Sequence, residues 1–284
     1  MSCLNNEIKP ILKWVGGKRQ LLSEIMPLIQ KDCSIYVEPF IGGGAIFFEL
    51  QPTKAIINDY NSELINLYSV IKNKPTKLIE ELKKLETKNN KEDFYEIRNL
   101  DRNDNWNTKS NVEKAARTIY LNKTCFNGLY RVNSKGYFNT PFGFYKNPNI
   151  CNEKLILDIS KYLNENDITL MCGDYKEALK NLPESAFVYL DPPYMPISKT
   201  SSFTSYTDAE FEWKQQLELK EECDKLQKQG IKFIQSNSDC PEIRELYKDY
   251  EIKTVYAKRN INSKGNARGE ITEVLILNIK NTEQ

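Results

Sequence analysis

The chain has 284 residues, 40% of them hydrophobic, enough for a large buried core and against global disorder. No apolar run approaches the roughly 18 residues that cross a bilayer, and the first ten residues hold no apolar signal segment, so the expected address is the cytoplasm. Net charge is only +1, and there is no histidine, which removes imidazole bases, serine–histidine triads and histidine-bound metals; no metal is expected.

A helix is predicted from about Lys18 through Lys31, bent or ended by Pro27. The β-branched Ile35-Tyr36-Val37 reads as a strand. It runs into Glu38-Pro39-Phe40-Ile41-Gly42-Gly43-Gly44, then an apolar helix from Ala45 to Leu50 and a second strand, Ala55-Ile56-Ile57, ending at Asn58-Asp59. The opening 60 or so residues therefore form a βαβ unit. Residues 62–154 change character. Charged helices are expected at 62–71, 75–86, 92–100 and 112–121, followed by a loop-like, aromatic and basic stretch to Ile150. This segment is predicted to be an insert outside the sheet, dividing a domain made of 1–61 and 155–284. Strands return at 168–171, 187–190, 231–234, 252–256 and 271–277, with a helix from Asp208 to Gln229. Alternating strands and helices imply a mostly parallel sheet covered on both faces, its last two strands an antiparallel edge hairpin.

The seven cysteines are scattered and never spaced CxxC, which argues against a disulfide scaffold or a zinc knuckle. Basic residues fall into three acid-free islands: Lys9, Lys13, Lys18 and Arg19; then Lys114, Arg117, Lys123, Arg131, Lys135 and Lys146; then Lys253, Lys258, Arg259, Lys264 and Arg268. If they converge, they make a phosphate-binding face on a neutral protein.

Phe40-x-Gly42-x-Gly44 follows a strand, where glycine lets backbone approach a ligand closely. It is not the dinucleotide pattern GxGxxG, because Phe47 stands where the third glycine belongs. Asp59, at the end of the next strand, is placed to accept from a ribose diol. Together they suggest a nucleoside cofactor without a pyrophosphate, a description S-adenosyl-L-methionine fits. Leu190 leads into Asp191-Pro192-Pro193-Tyr194 at the end of an apolar strand. An exocyclic amine is a poor nucleophile because its lone pair is delocalised into the ring. Two acceptors, the Asp191 carboxylate and the Pro192 carbonyl, can hold its two N–H bonds and aim the lone pair at a sulfonium methyl. Tyr194 can stack on a base flipped from the helix.

This tetrad, with the glycine turn upstream and Lys13-Trp14-Val15-Gly16-Gly17-Lys18 at the N-terminus, resembles the Dam-type DNA adenine-N6 methyltransferases of the α group, from about Lys13 to Glu273. The resemblance implies a Rossmann-like S-adenosylmethionine-dependent methyltransferase sheet with helices on both faces and an inserted helical target-recognition domain. It implies cofactor contacts from Trp14, Lys18, Phe40, Gly42, Gly44, Asp59, Asp174 and Asp191. The segments Phe126-Asn127-Gly128-Leu129-Tyr130-Arg131 and Phe138-Asn139-x-Pro141-Phe142-Gly143-x-Tyr145 resemble the part by which GATC-specific members read double-stranded DNA. Arg131 then reads guanine, Leu129 and Pro141 meet the thymine methyl, Phe126 wedges beside the vacated adenine and Asn127 pairs with the orphaned thymine. Lys13 offers a second guanine contact, and Tyr145 belongs to the same surface. Phe144 departs from the family, many of whose members carry arginine there. If that arginine serves the phosphate backbone, its loss shallows the salt slope by about one unit. The Ser/Thr-rich stretch 196–207 is expected to close over the site, and 259–269 to clamp DNA.

N4-cytosine methylation uses the same chemistry but usually has serine in place of Asp191. RNA methylation fits the DNA-reading loop poorly. A nucleotide-dependent oxidoreductase lacks its third glycine, and a catalytically dead DNA-binding protein would not need the intact tetrad. The resemblance leaves open a role beside a restriction endonuclease, as an orphan marker, or on a phage or other mobile element.

Overall fold

A computed structural model describes residues 8–194, 211–258 and 270–278. Seven strands form one sheet: β1 Ile35–Glu38, β2 Lys54–Asp59, β3 Asp167–Cys172, β4 Ala186–Leu190, β5 Lys232–Ser238, β6 Glu251–Lys258 and β7 Glu270–Leu277. Their order is β3-β2-β1-β4-β5-β7-β6. The first five are parallel, whereas β7 runs antiparallel to both β5 and β6. The terminal pair is thus an antiparallel pair at the sheet edge, as expected, with β6 outermost and β7 between β5 and β6. Reversal has a functional consequence: β7 begins at the rim where the parallel strands end.

Alternation along the strands splits the core in two. Tyr36, Phe187, Tyr189, Ile234 and Leu275 face one side; Val37, Val188, Phe233, Val274 and Ile276 face the other. Helices α1 Leu22–Ile25, α2 Ala45–Leu50, α3 Ser62–Asn73 and α7 Glu153–Glu165 cover the first face. On the second lie α8 Tyr175–Ala178, α9 Trp213–Lys228 and α10 Pro241–Leu246. β4 is buried at every position, as a central strand covered on both faces must be.

The predicted helix over 18–31 is broken into two 3-10 turns, Lys18–Leu21 and Met26–Leu28, around the single turn α1. Pro27 sits in the second turn and cannot donate, so no continuous ladder passes it. β5 runs four residues further than its apolar run, through buried Gln235, Ser236, Asn237 and Ser238. Each of the first three has a partner: Ser236 Oγ with Tyr189 Oη at 2.8 Å, Asn237 Nδ2 with Gln216 Oε1 at 3.0 Å, and Gln235 Oε1 with Cys223 Sγ at 3.2 Å.

Helices α4 Pro75–Glu86, α5 Lys91–Asn99 and α6 Asn111–Thr124 build outward from α3, which itself hydrogen-bonds to the sheet through Lys72 Nζ and the Ile168 carbonyl. Arg117, counted above with a basic surface island, is 2% exposed. Its guanidinium donates to the Ile97 and Arg98 carbonyls, pairs with Asp101 at 2.6 Å and stacks on Trp106. It ties α5 to α6 and is withdrawn from any phosphate. Arg117→Ala is expected to cost about 1–3 kcal/mol, because the Ile97 carbonyl loses its side-chain donor and Asp101 keeps only Arg102 of its two cations. Urea unfolding checks this, and a change below 1 kcal/mol, on the scale of roughly 0–1 kcal/mol for an exposed pair, would refute it. Among the described residues no helix is long and apolar enough to cross a membrane.

Candidate active site

The strand order turns over between β1 and β4, the position where open α/β sheets bind ligands at strand carboxyl ends. A cleft of 530 Å³ opens there. Its lining brings together Trp14, Lys18, Phe40, Gly42, Asp59 and Asp174 with Asp191, Pro192 and Tyr194.

The glycine turn and Asp59 are one unit. Asp59 accepts from the Gly42 N–H and the Asn61 N–H, both at 2.9 Å, so its carboxylate ties β2 to the turn after β1. Gly42 holds φ +48°, and a Cβ there would strike the Trp14 indole at 2.9 Å. Gly44 departs from expectation. It faces the Phe48 ring and the Tyr68 hydroxyl and is absent from the cleft lining, because the turn rolls it inward to start α2. Asp174 caps α8 by accepting from Lys176 N–H at 2.9 Å and lines the cleft.

At the tetrad, Lys18 is 4% exposed. Its ammonium lies 2.9 Å from Asp191 Oδ1, 3.8 Å from Glu273 Oε2 and 4.4 Å from the centroid of the Tyr194 ring, and it donates to the Gly16 carbonyl at 2.8 Å. Burial pushes the Asp191 carboxyl up to about 6; Lys18 opposes that shift and Glu273 adds to it. Pro193 is fixed by Gln216, a fully buried residue of α9 whose Nε2 donates to its carbonyl at 3.1 Å. Among the described residues nothing donates to the Pro192 carbonyl.

Sequence reasoning missed five contributors. Gln216 and Glu273 carry no motif. Asn58 is buried and donates to the Pro39 and Gly173 carbonyls, binding the turns after β1 and β3, while its Oδ1 has no partner. Tyr175 stacks on Phe40 at 5.0 Å, and Phe211 meets Phe40 edge-on at 6.0 Å, making an aromatic wall. Only Asn58 had a signal, its place beside Asp59 at a strand end.

The stretch after α6 is an irregular hairpin, with bridges between Cys125 and Phe142 and between Val132 and Phe138. It presents Phe126 (52% exposed) and Tyr145 (41%), with Pro141 exposed and Leu129 half-buried. Phe144, 71% exposed, stands beside them at φ +55°. Asn127 holds φ +57°, and Arg131 Nε donates to Asn139 Oδ1 at 2.7 Å. Buried Asn122 clamps Lys13 to this hairpin. Its Oδ1 accepts from Lys13 N–H at 2.9 Å, and its Nδ2 donates to the Lys13 and Gly128 carbonyls. Trp14 stacks on Tyr130 at 4.8 Å, so cleft wall and hairpin share one aromatic pair. Lys123 also lies close enough to Lys9 and Arg19 to feel both charges, so the first two basic islands meet. Residues 196–207 and the basic loop 259–269 lie outside the described residues.

A family model for D12 class N6 adenine-specific DNA methyltransferases matches residues 14–261. The chain belongs to this family. The methyltransferase is 47% identical over 274 residues to the type II methyltransferase M1.LlaDCHI of Lactococcus lactis subsp. cremoris, covering 96% of each chain. It is 44% identical over 290 residues to the type II methyltransferase M.MjaIII of Methanocaldococcus jannaschii, covering 96% of this chain and 99% of that one. It is 34% identical over 274 residues to the DNA adenine methylase of Escherichia coli strain K12, covering 95% of each. The matched span includes the tetrad, the glycine turn and the hairpin, and the methyltransferase carries its sheet in the Rossmann-like order expected of it.

Proposed function

We propose that the protein transfers a methyl group from S-adenosyl-L-methionine to N6 of an adenine flipped out of double-stranded DNA, in the site GATC. The observation carrying this reading is the cluster of buried Lys18 with half-buried Asp191 and Tyr194, opening into the same cleft as the Phe40–Asp59 wall.

The cleft suits that cofactor. The unpartnered Asn58 Oδ1, the acids Asp59 and Asp174 and the flat wall of Phe40, Tyr175 and Phe211 match an amino- and hydroxyl-bearing nucleoside with an aromatic base. When bound, the cofactor supplies an electrophilic methyl on a sulfonium. The chain's residues prepare the other partner. Asp191 accepts one N–H of the adenine amine and the Pro192 carbonyl the other, so the nitrogen lone pair is freed from the ring. Gln216 keeps the Pro-Pro turn from shifting, and Tyr194 offers its face to the flipped base.

GATC rests on the hairpin: Arg131 and Lys13 for the guanines, Leu129 and Pro141 for the thymine methyl, Phe126 and Asn127 for the vacated stack, with Tyr145 beside them. Arg131 is oriented by Asn139, as a bidentate reader needs. The names of the two type II relatives support a place beside a restriction endonuclease.

Labelled S-adenosylmethionine and duplexes containing GATC or a scrambled site test the reading. Label in N6-methyladenine on GATC alone is expected. Label in cytosine would sink the reaction, and equal label on both duplexes would sink the site.

A further inference from the structure

Glu273 sits on β7, opposite Ser238 of β5 and Val255 of β6, near the start of the one strand that runs against the parallel set. That reversal carries a residue 79 positions after Tyr194 back to the tetrad. Tyr194 Oη donates to Glu273 Oε2 at 2.7 Å, and the same oxygen lies 3.8 Å from Lys18 Nζ. Tyr194 is therefore held at two points, its hydroxyl by Glu273 and its ring face by the Lys18 ammonium.

Resting on the reading above, we propose that Glu273 is a positioning residue: it fixes the plane on which the flipped adenine stacks, by anchoring the Tyr194 hydroxyl, and it shares the Lys18 charge with Asp191. Without it, the phenol loses its acceptor, and the ring can turn about χ1 and χ2. A charge partition follows as well. The groups facing Asp191 are Lys18 from the N-terminal segment, Glu273 from β7, Tyr194 from its own turn, Glu38 from β1 and Tyr189 from β4. Burial holds Glu38 well above the usual carboxylate range, and its Oε2 accepts from Tyr36 Oη at 2.7 Å. Burial keeps both tyrosines protonated. Glu273 is the neighbour whose charge makes Asp191 harder to ionise.

The test compares Glu273→Gln, Glu273→Ala and Tyr194→Phe in the full chain, with labelled S-adenosylmethionine and a GATC duplex. Glu273→Ala is expected to lower kcat about tenfold, with KM for the cofactor within about twofold. Tyr194→Phe should reproduce that loss, and the double variant should lose no more than the worse single, because both cut one link. Both Glu273 variants should move the acid limb of kcat/KM to lower pH by about half a unit, whereas Tyr194→Phe, which removes a hydrogen bond that lowers Asp191, moves it to higher pH. Carbon-13 titration of the Asp191 carboxyl in the free protein should show the same shift without turnover. Additive losses, or an Asp191 titration unmoved in Glu273→Gln, would overturn the proposal. The isosteric Gln variant keeps the test alive if the alanine variant does not fold. A wild-type protein inactive on every adenine-containing duplex would instead sink the function on which the proposal rests.

Discussion

Replacing Asp191 with alanine is expected to lower methyl transfer by about 10³-fold while DNA binding stays within about threefold. The size follows from the task. The carboxylate helps the adenine nitrogen in the transition state, where the N–H bonds sharpen as the lone pair leaves the ring. On the proposed reading, which puts the duplex contacts on the hairpin, it contributes little to holding DNA. Asp191→Asn keeps one acceptor but loses the charge, and should retain a few-fold more activity than the alanine variant. The ionised form is required, because a protonated carboxyl turns an acceptor oxygen into a donor. With its carboxyl pushed up to about 6 from the ordinary 3.8, activity is present above that pH and lost as pH falls through it. The stability sign is opposite to that of a salt-bridged carboxylate. The folded state holds this proton more tightly than the unfolded chain does, so between about 4 and 6 the Asp191 contribution weakens as pH rises. A kcat/KM profile flat from pH 5 to 8 would remove Asp191 from the chemistry.

Local signals carried the β1–turn–α2–β2 unit into view, because a β-branched run, a glycine turn and an apolar helix each punctuate the chain within a few residues. The tetrad was legible for the same reason. Long-range polar partners were not. Gln216, Glu273 and Tyr175 reach the site from α9, β7 and α8 only after the sheet is assembled, and no residue beside them in sequence announces it. β5 shows the same limit in the core: Gln235 to Ser238 fall outside the apolar run 231–234, yet pairing with β4 and β7 buries them, and Ser236 and Asn237 find side-chain partners. Charge clustering misled at Arg117, since sequence cannot tell a solvated guanidinium from one consumed by two carbonyls and Asp101. Gly44 misled differently. The third glycine of the run serves the roll of backbone into α2, against Phe48 and Tyr68, while Gly42 makes the approach to the cleft.

Replacing Lys18 with methionine is expected to have the second large effect, and its signature is a pH dependence more than a loss. Methionine matches the aliphatic stem but removes the one cation within 4 Å of both Asp191 and Glu273 among the described residues. Two half-buried carboxylates are then left facing each other, which costs roughly 1–3 kcal/mol of stability if both stay ionised. The protein escapes most of that cost by protonating one of them. Asp191 already titrates at about 6 with Lys18 beside it, so its acid limb should rise by about 1–2 units. At pH 7 the ionised fraction then falls by up to about tenfold, and transfer falls with it. Raising the pH to 9 should restore most of that portion. A second portion, from looser cofactor binding and from a Tyr194 ring that no longer rests on an ammonium, should persist at every pH and appear in KM for S-adenosylmethionine. Were the loss identical at pH 7 and pH 9, Lys18 would be acting on the ligand alone, and the carboxylate pair would have to be stabilised by some other group.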